Sequence, residues 1–209
     1  MELKKLKVLN CYSGIGGNRK LWKDVDVTAV ELNPQIAKIY QDFFPDDKVI
    51  VADAHQYLLK HHSEYDFIWS SPPCPTHSDI RRCGVHKGQY QALYPDMTLY
   101  QEIILLKHFA PLKAKWVIEN VKPYYDLLIT GIERDRHIFW SNFFIGEKAG
   151  ITERKHSDIV GSEPVYGFDI NKYEVDNKRQ IMRNLVNPYL GLHILNESKI
   201  NRYPELLQL

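Results

Sequence analysis

Cys74 stands in Ser70-Ser71-Pro72-Pro73-Cys74-Pro75-Thr76-His77-Ser78, directly after the apolar run Phe67-Ile68-Trp69. A thiolate is a strong nucleophile, and a modest pKa drop from a nearby Arg or His is enough to arm it. A thiol at a strand end therefore suggests covalent catalysis. The alternative is a small buried hydrophobe, which describes most cysteines. Far upstream, Cys11-Tyr12-Ser13-Gly14-Ile15-Gly16-Gly17 follows a first apolar run and is expected to open a helix. Its glycines would let backbone pass close to a ligand at the carboxyl end of a sheet. The spacing is not the full Gly-x-Gly-x-x-Gly fingerprint.

The elements that must carry these residues follow from periodicity. Short β-branched runs alternate with amphipathic stretches through the first two thirds of the chain, which argues for βαβ units and an α/β fold with a parallel sheet and helices on both faces. Strands are expected at 7–10, 27–31, 49–52, 67–70 and 116–120, with a sixth at 137–145. Helices fit 34–44, where Pro34 suits the first turn, and 97–112, where Ile103, Leu106 and Ala110 form an apolar stripe. Between Gly146 and about Tyr173 the periodicity fades, which reads as an excursion of some thirty residues out of the sheet layer. A turn at Asn187-Pro188 precedes a last helical pattern. The expected organisation is a core over 1–145, a recognition segment over 146–175 and a segment returning to the core over 176–209.

At 209 residues the chain suits one medium domain. No apolar run is long enough to span a membrane and no signal-like segment opens the chain, so a cytoplasmic protein without membrane contact is expected. Three cysteines argue for reduced thiols. The net charge of +1 is too small for the whole molecule to act as a polycation. Nucleic-acid binding would need a local basic face, for which Arg81, Arg82 and Lys87 after Cys74, and Lys178, Arg179 and Arg183, are candidates.

Glu31, followed by Leu32, ends the second expected strand, placed to accept hydrogen bonds from two ribose hydroxyls. Asp53, followed by Ala54, stands just after the third, placed for an adenine amino group. Glycine loop, Glu31 and Asp53 in this order resemble the S-adenosylmethionine pocket of Rossmann-like methyltransferases. With Cys74 the resemblance narrows to the DNA cytosine-5 methyltransferases. Ser13-Gly14-Ile15-Gly16-Gly17, Glu31, Asp53, Pro73-Cys74, Glu119-Asn120-Val121, Arg134-Asp135-Arg136 and Val186-Asn187-Pro188 appear in the family's order.

The resemblance implies a cofactor, S-adenosylmethionine, held by residues 12–17, Glu31, Leu32, Asp53, Ala54, Pro72 and Asn187. Cytosine C5 is too weak a nucleophile to take a methyl group directly, and addition of a thiolate at C6 turns the ring into an enamine. Cys74 would make that attack and Glu119 would hold the N3 edge, with a pKa raised by burial in the Trp116-Val117-Ile118 strand. By the same resemblance Arg136 would contact the cytosine O2 and Asn120 would orient the loop of the nucleophile. The target must be flipped or single-stranded. Residues 76–94 form the natural lid, with Ser78, Arg81, Arg82 and Lys87, and Arg134 beyond it, suited to phosphate, and Gly84 and Gly88 allowing motion.

The chain departs from the family at Pro72 and Pro75, in the reduced Asp96-Met97-Thr98-Leu99-Tyr100 stretch, and in its short recognition segment. Specificity would be short or borrowed from a specificity partner or a homodimer. Four rivals stand beside the main reading. An RNA substrate is one, because a family branch with the same residues methylates transfer RNA. An amino-methyltransferase is suggested by Ser71-Pro72-Pro73, although Cys74 replaces the aromatic ring such enzymes need. A zinc module could use Cys74, His77, Cys83 and His86, although the main reading requires no metal. A non-catalytic relative that only binds DNA or cofactor is the fourth.

Overall fold

The computed structural model describes residues 4–134, 137–147 and 164–200. Seven strands form one sheet: β1 (Leu6–Cys11), β2 (Val25–Glu31), β3 (Lys48–Val51), β4 (Phe67–Ser70), β5 (Lys115–Val121), β6 (Ile132–Arg134) and β7 (His137–Ser141). Their order is β3-β2-β1-β4-β5-β7-β6. The first five run parallel, whereas β7 is antiparallel to both β5 and β6. The expectation of a parallel sheet therefore holds only for β1 to β5. The chain reaches β7 through the neighbouring β6 hairpin rather than through a crossover helix, and a hairpin can only pair antiparallel.

Period-2 alternation explains how one sheet supports two cores. Leu9, Ile68 and Ile118 face a cluster with Leu58, Leu99, Ile103 and Leu106, while Val8, Phe67, Trp69 and Val117 face Trp22, Leu190, Ile194 and Leu195. Helices thus lie on both faces, as expected for the α/β class. On the first face are α2 (Ala54–His61) and α4 (Thr98–Phe109), and on the second α6 (Pro188–Ser198). Ile103 and Leu106 are each 1% exposed, and burial of such side chains stabilises by about 1.5–3 kcal/mol apiece. A third cluster joins α1 (Pro34–Phe43) and α5 (Lys178–Arg183) through Ile39 and Met182 to Val165, Phe168 and Ile170. Residues 164–170 therefore belong to the core, and within the expected recognition segment 148–163 lie outside the described residues. Among the described residues no helix is long and apolar enough to cross a membrane.

Three local expectations change. The glycine loop opens no helix: turns fill the stretch from Gly14 to Leu21, where Gly16, Gly17 and Asn18 are poor helix formers. The sixth strand stops at Ser141, because Asn142 turns back to bond the start of β5 through Nδ2 to the Ala114 carbonyl (2.8 Å) and Oδ1 to the Trp116 amide (2.9 Å). Asn187-Pro188 is a helix start: Asn187 Oδ1 accepts from the Tyr189 amide at 2.9 Å, and Pro188 occupies the first turn of α6.

Candidate active site

Strand order reverses between β1 and β4, and in open α/β sheets ligands bind outside the carboxyl ends of the strands at such a switch point. The glycine loop leaves β1 there, and the Cys74 loop leaves β4.

Glu31 ties the glycine loop to β2. Its Oε2 accepts from the Gly14 amide at 3.0 Å and its Oε1 from the Asn33 amide at 2.9 Å. The three glycines divide the work. Gly14 has φ +53° and open space where a Cβ would stand. Gly16 packs under Tyr40 and Phe44, and a Cβ on Gly17 would lie 2.6 Å from the Val186 carbonyl oxygen. Close approach to a ligand is thus open at Gly14, while Gly16 and Gly17 serve packing, because the loop is pressed between α1 and the segment before α6. Ser13 Oγ is buried with no hydrogen-bond partner among the described residues. An orphaned hydroxyl beside an open glycine fits a polar ligand at this loop, and so does the sequence-implied cofactor. Ile15 turns away into the third cluster, and Leu32 is 66% exposed beside Glu31. Asp53 caps α2, its Oδ1 accepting from the Gln56 amide at 2.8 Å, with Ala54 buried behind it.

Sequence reasoning missed what lies beneath Tyr12. Glu102 of α4 is fully buried and receives Tyr12 Oη (2.7 Å), Ser70 Oγ (2.6 Å) and His55 Nδ1 (3.1 Å). The hydrogen bond to Glu102 pushes the His55 imidazole pKa up from its ordinary value. Glu102 sits on the apolar stripe of α4 one residue before Ile103. A lone acid on an apolar face is the signal that could have found it.

The nucleophile loop is pinned at several points. Asn120 Nδ2 donates to the buried Pro72 carbonyl at 2.9 Å, while its Oδ1 accepts from the Val121 amide at 2.9 Å. The Cys74 carbonyl accepts from the amides of His77 (3.0 Å) and Ser78 (3.1 Å). Thr76 Oγ1 accepts from the Asp96 amide (2.9 Å), and buried His77 bonds Tyr125 Oη through Nδ1 (2.6 Å). Cys74 itself is half-buried. On β5, Glu119 is buried one residue before Asn120, and His137 of β7 lies against it with Nε2 3.2 Å from Oε1. His137 is a second residue that sequence reasoning missed, since antiparallel pairing of β7 is what brings it there.

The expected nucleic-acid residues have mixed surroundings. Ser78 caps α3 (Asp79–His86), accepting from the Arg81 amide at 3.3 Å. Arg82 donates to the Tyr124 carbonyl at 3.0 Å and lies over its ring, while Arg81 lies over Tyr90. Lys87 is exposed. Pro75, Thr76, Arg81, Arg82 and Tyr124 border a cavity of about 200 Å³ beside the Cys74 loop. Gly84 makes room for the Tyr90 ring and Gly88, at φ +69°, ends α3, so both glycines serve packing and termination. Arg134 is engaged internally, donating to the Ile145 carbonyl at 2.7 Å. Arg136 lies outside the described residues. Among the described residues no group of three or more His, Cys, Asp or Glu could hold a metal, and Cys83 and His86 are exposed on α3 while His77 is committed to Tyr125.

Solved structures of methyltransferases are similar to this one over part of their length. The structure is similar to a SAM-dependent methyltransferase from Agrobacterium tumefaciens, with 15% identity over 58% of this chain and 40% of that one and a TM-score of 0.40. It is also similar to a DNMT2 mutant from Spodoptera frugiperda, with 25% identity, coverage of 56% and 36% and a TM-score of 0.38. A putative prophage DNA modification methyltransferase from E. coli shares 21% identity, with coverage of 58% and 34% and a TM-score of 0.37. The chain spans two fifths or less of the length of these three structures. No curated protein matches it. A family model for C-5 cytosine-specific DNA methylases matches residues 6–125, more than half of the chain. S-adenosylmethionine is the cofactor of this family. With its glycine loop, Pro-Cys turn and Glu-Asn strand end gathered at one switch point, the chain belongs to the family of C-5 cytosine-specific DNA methylases.

Proposed function

We propose that this chain is a DNA cytosine-5 methyltransferase acting through a covalent Cys74 adduct. The observation that supports this most directly is the hydrogen bond from Asn120 to Pro72, which ties the loop of the thiol to the strand end carrying Glu119. When bound, S-adenosylmethionine supplies the methyl group from its sulfonium. Ser13, Gly14, Glu31, Leu32 and Asp53 are the residues that would hold it, with Glu31 already oriented by two amides.

The Cys74 thiolate attacks C6 of a flipped cytosine, forming the S–C6 bond as the C5–C6 π electrons shift to C4–C5 and the C4–N3 π electrons shift onto N3. Glu119 gives or shares a proton at N3, which spreads the charge that addition creates. His137, against the Glu119 carboxyl, keeps it oriented. Once C5 carries the methyl group, with S-adenosylhomocysteine as the leaving group, the C5 proton leaves to a base, its electron pair reforms the C5–C6 double bond as the S–C6 bond breaks to restore the thiolate, and the N3 proton returns to Glu119. Burial of both Glu119 and His137 excludes water from this exchange. Arg81, Arg82 and Lys87 contact phosphate at the mouth of the neighbouring cavity, Arg136 contacts the cytosine O2, and the recognition segment expected over 146–175 carries the sequence preference.

Transfer of labelled methyl from S-adenosylmethionine to cytosine-containing duplex DNA, single-stranded DNA and transfer RNA tests the reading. It predicts 5-methylcytosine in DNA and none with Cys74→Ser, which still binds cofactor. Methylation of RNA alone redirects the substrate, N4-methylcytosine supports an amino-methyltransferase, and unchanged transfer by Cys74→Ser overturns the covalent step.

A further inference from the structure

We infer that Glu102 is the positioning residue that sets the cofactor loop in register with the nucleophile strand. The inference rests on the methyltransferase reading and deepens it. Tyr12 belongs to the glycine loop, Ser70 is the last residue of β4 four positions before Cys74, and His55 lies in the first turn of α2 two residues after Asp53. These three segments would meet the cofactor and the thiol, and the other side-chain hydrogen bond described between them is the long one from Cys11 Sγ to the Ala54 carbonyl at 3.9 Å. One carboxylate at 0% exposure joins them, at 2.7, 2.6 and 3.1 Å.

The donor count makes the residue type matter. Tyr12 and Ser70 each bring a hydroxyl and His55 a ring N–H, and a carboxylate is acceptor only, so two oxygens satisfy all three. A carboxamide has one acceptor oxygen only, so in either flip of Gln the NH₂ meets a group that donates to Glu102: Ser70 in one, which must turn its hydroxyl proton away and accept instead, and Tyr12 with His55 in the other. Tyr12 is the vulnerable partner, because its backbone is left-handed at φ +55°, a conformation a bulky residue holds only when its surroundings fix it. Losing the Glu102 acceptor frees Tyr12 to relax, and Ser13 and Gly14 move with it.

The test is a double-mutant cycle read by calorimetric binding of S-adenosylmethionine without nucleic acid, with thermal unfolding as the check on folding. Glu102→Gln is expected to weaken binding by about 10–100-fold and Tyr12→Phe, which leaves no orphaned donor, by about 3–10-fold. The double variant should bind no more weakly than Glu102→Gln, because both changes break the same contact. A support role for the fold alone would lower the melting temperature and leave this coupling at zero. Affinities within twofold of wild type in both single variants, or strictly additive losses, overturn the inference. Should Glu102→Gln fail to fold, Tyr12→Phe and Ser70→Ala decide between the outcomes: a cofactor loss confined to Tyr12→Phe together with slower adduct formation in Ser70→Ala supports coupling, and wild-type behaviour in both refutes it. Wild-type protein that binds S-adenosylmethionine but methylates nothing sinks the methyltransferase reading while leaving Glu102 measurable. Wild-type protein that binds none sinks both.

Discussion

Asn120→Ala separates the placement of the nucleophile loop from general stability. The substitution takes away the donor to the buried Pro72 carbonyl and the side-chain acceptor of the Val121 amide. An orphaned buried polar group costs about 1–3 kcal/mol, so with partial relaxation the pair should lose roughly 2–4 kcal/mol. For a chain of this size each kcal/mol moves the melting temperature by about 2–4 °C, which puts the drop at about 5–15 °C. The structure supplies its own control. Asn142 makes the same two kinds of bond, to the Ala114 carbonyl and from the Trp116 amide, at the opposite end of β5. Asn142→Ala should therefore melt about as early as Asn120→Ala. Adduct formation with a 5-fluorocytosine oligonucleotide, followed well below either melting point, should slow by about 100-fold in Asn120→Ala, because an ångström of misplacement at a reacting atom costs that much. In Asn142→Ala it should stay within a few-fold of wild type. Equal rates in the two variants would refute the claim that Asn120 acts through the loop.

Glycine substitutions should divide in the same manner. Gly17→Ala drives a Cβ into the Val186 carbonyl and should lower stability by about 1–3 kcal/mol in urea unfolding, whereas Gly14→Ala, with open space around it, should weaken S-adenosylmethionine by about tenfold or more in calorimetry while costing only about 1 kcal/mol of stability for its φ. Two histidines give opposite pH dependence. Burial lowers the His77 pKa from its ordinary 6.5, so below that pH the unfolded chain takes up the proton first and stability falls as pH drops; a His77→Gln variant should flatten that acid limb in urea midpoints. Glu102 raises the His55 pKa, so its contribution is complete below 6.5 and fades as pH rises through the folded value, and His55→Gln should remove that loss. Arg82→Ala should reduce the slope of log affinity for DNA against log salt by about one, and an unchanged slope would remove Arg82 from the phosphate contacts.

The strands are legible in the sequence because β1, β2, β4 and β5 are short apolar runs buried on both faces, and the switch point follows from their order. Two helices are hidden by their length. α2 buries only Ala54 and Leu58, too few for a stripe, yet Asp53-Ala54-His55-Gln56 is an N-terminal capping pattern that marks its start. Ser78 marks α3 in the same way. Both caps read as ligand contacts in the sequence, since a side chain that caps a helix and one that meets a ligand look alike there. The direction of β7 and the Glu119–His137 contact depend on a hairpin through β6, whose three residues carry no periodic signal. Glu102 shows in the sequence only as a lone acid on an apolar face: its partners lie 32, 47 and 90 residues away, and only the tertiary fold assembles them.

Covalent catalysis here means that the sulfur of Cys74 bonds to the pyrimidine. Intact-mass spectrometry of the protein incubated with S-adenosylmethionine and a 5-fluorocytosine oligonucleotide measures that bond directly. The expected result is a stable adduct of protein plus methylated oligonucleotide, mapped to the peptide containing Cys74 and abolished by Cys74→Ser. A protein that methylates cytosine without forming the adduct, or an adduct on Cys11 or Cys83, would contradict the mechanism.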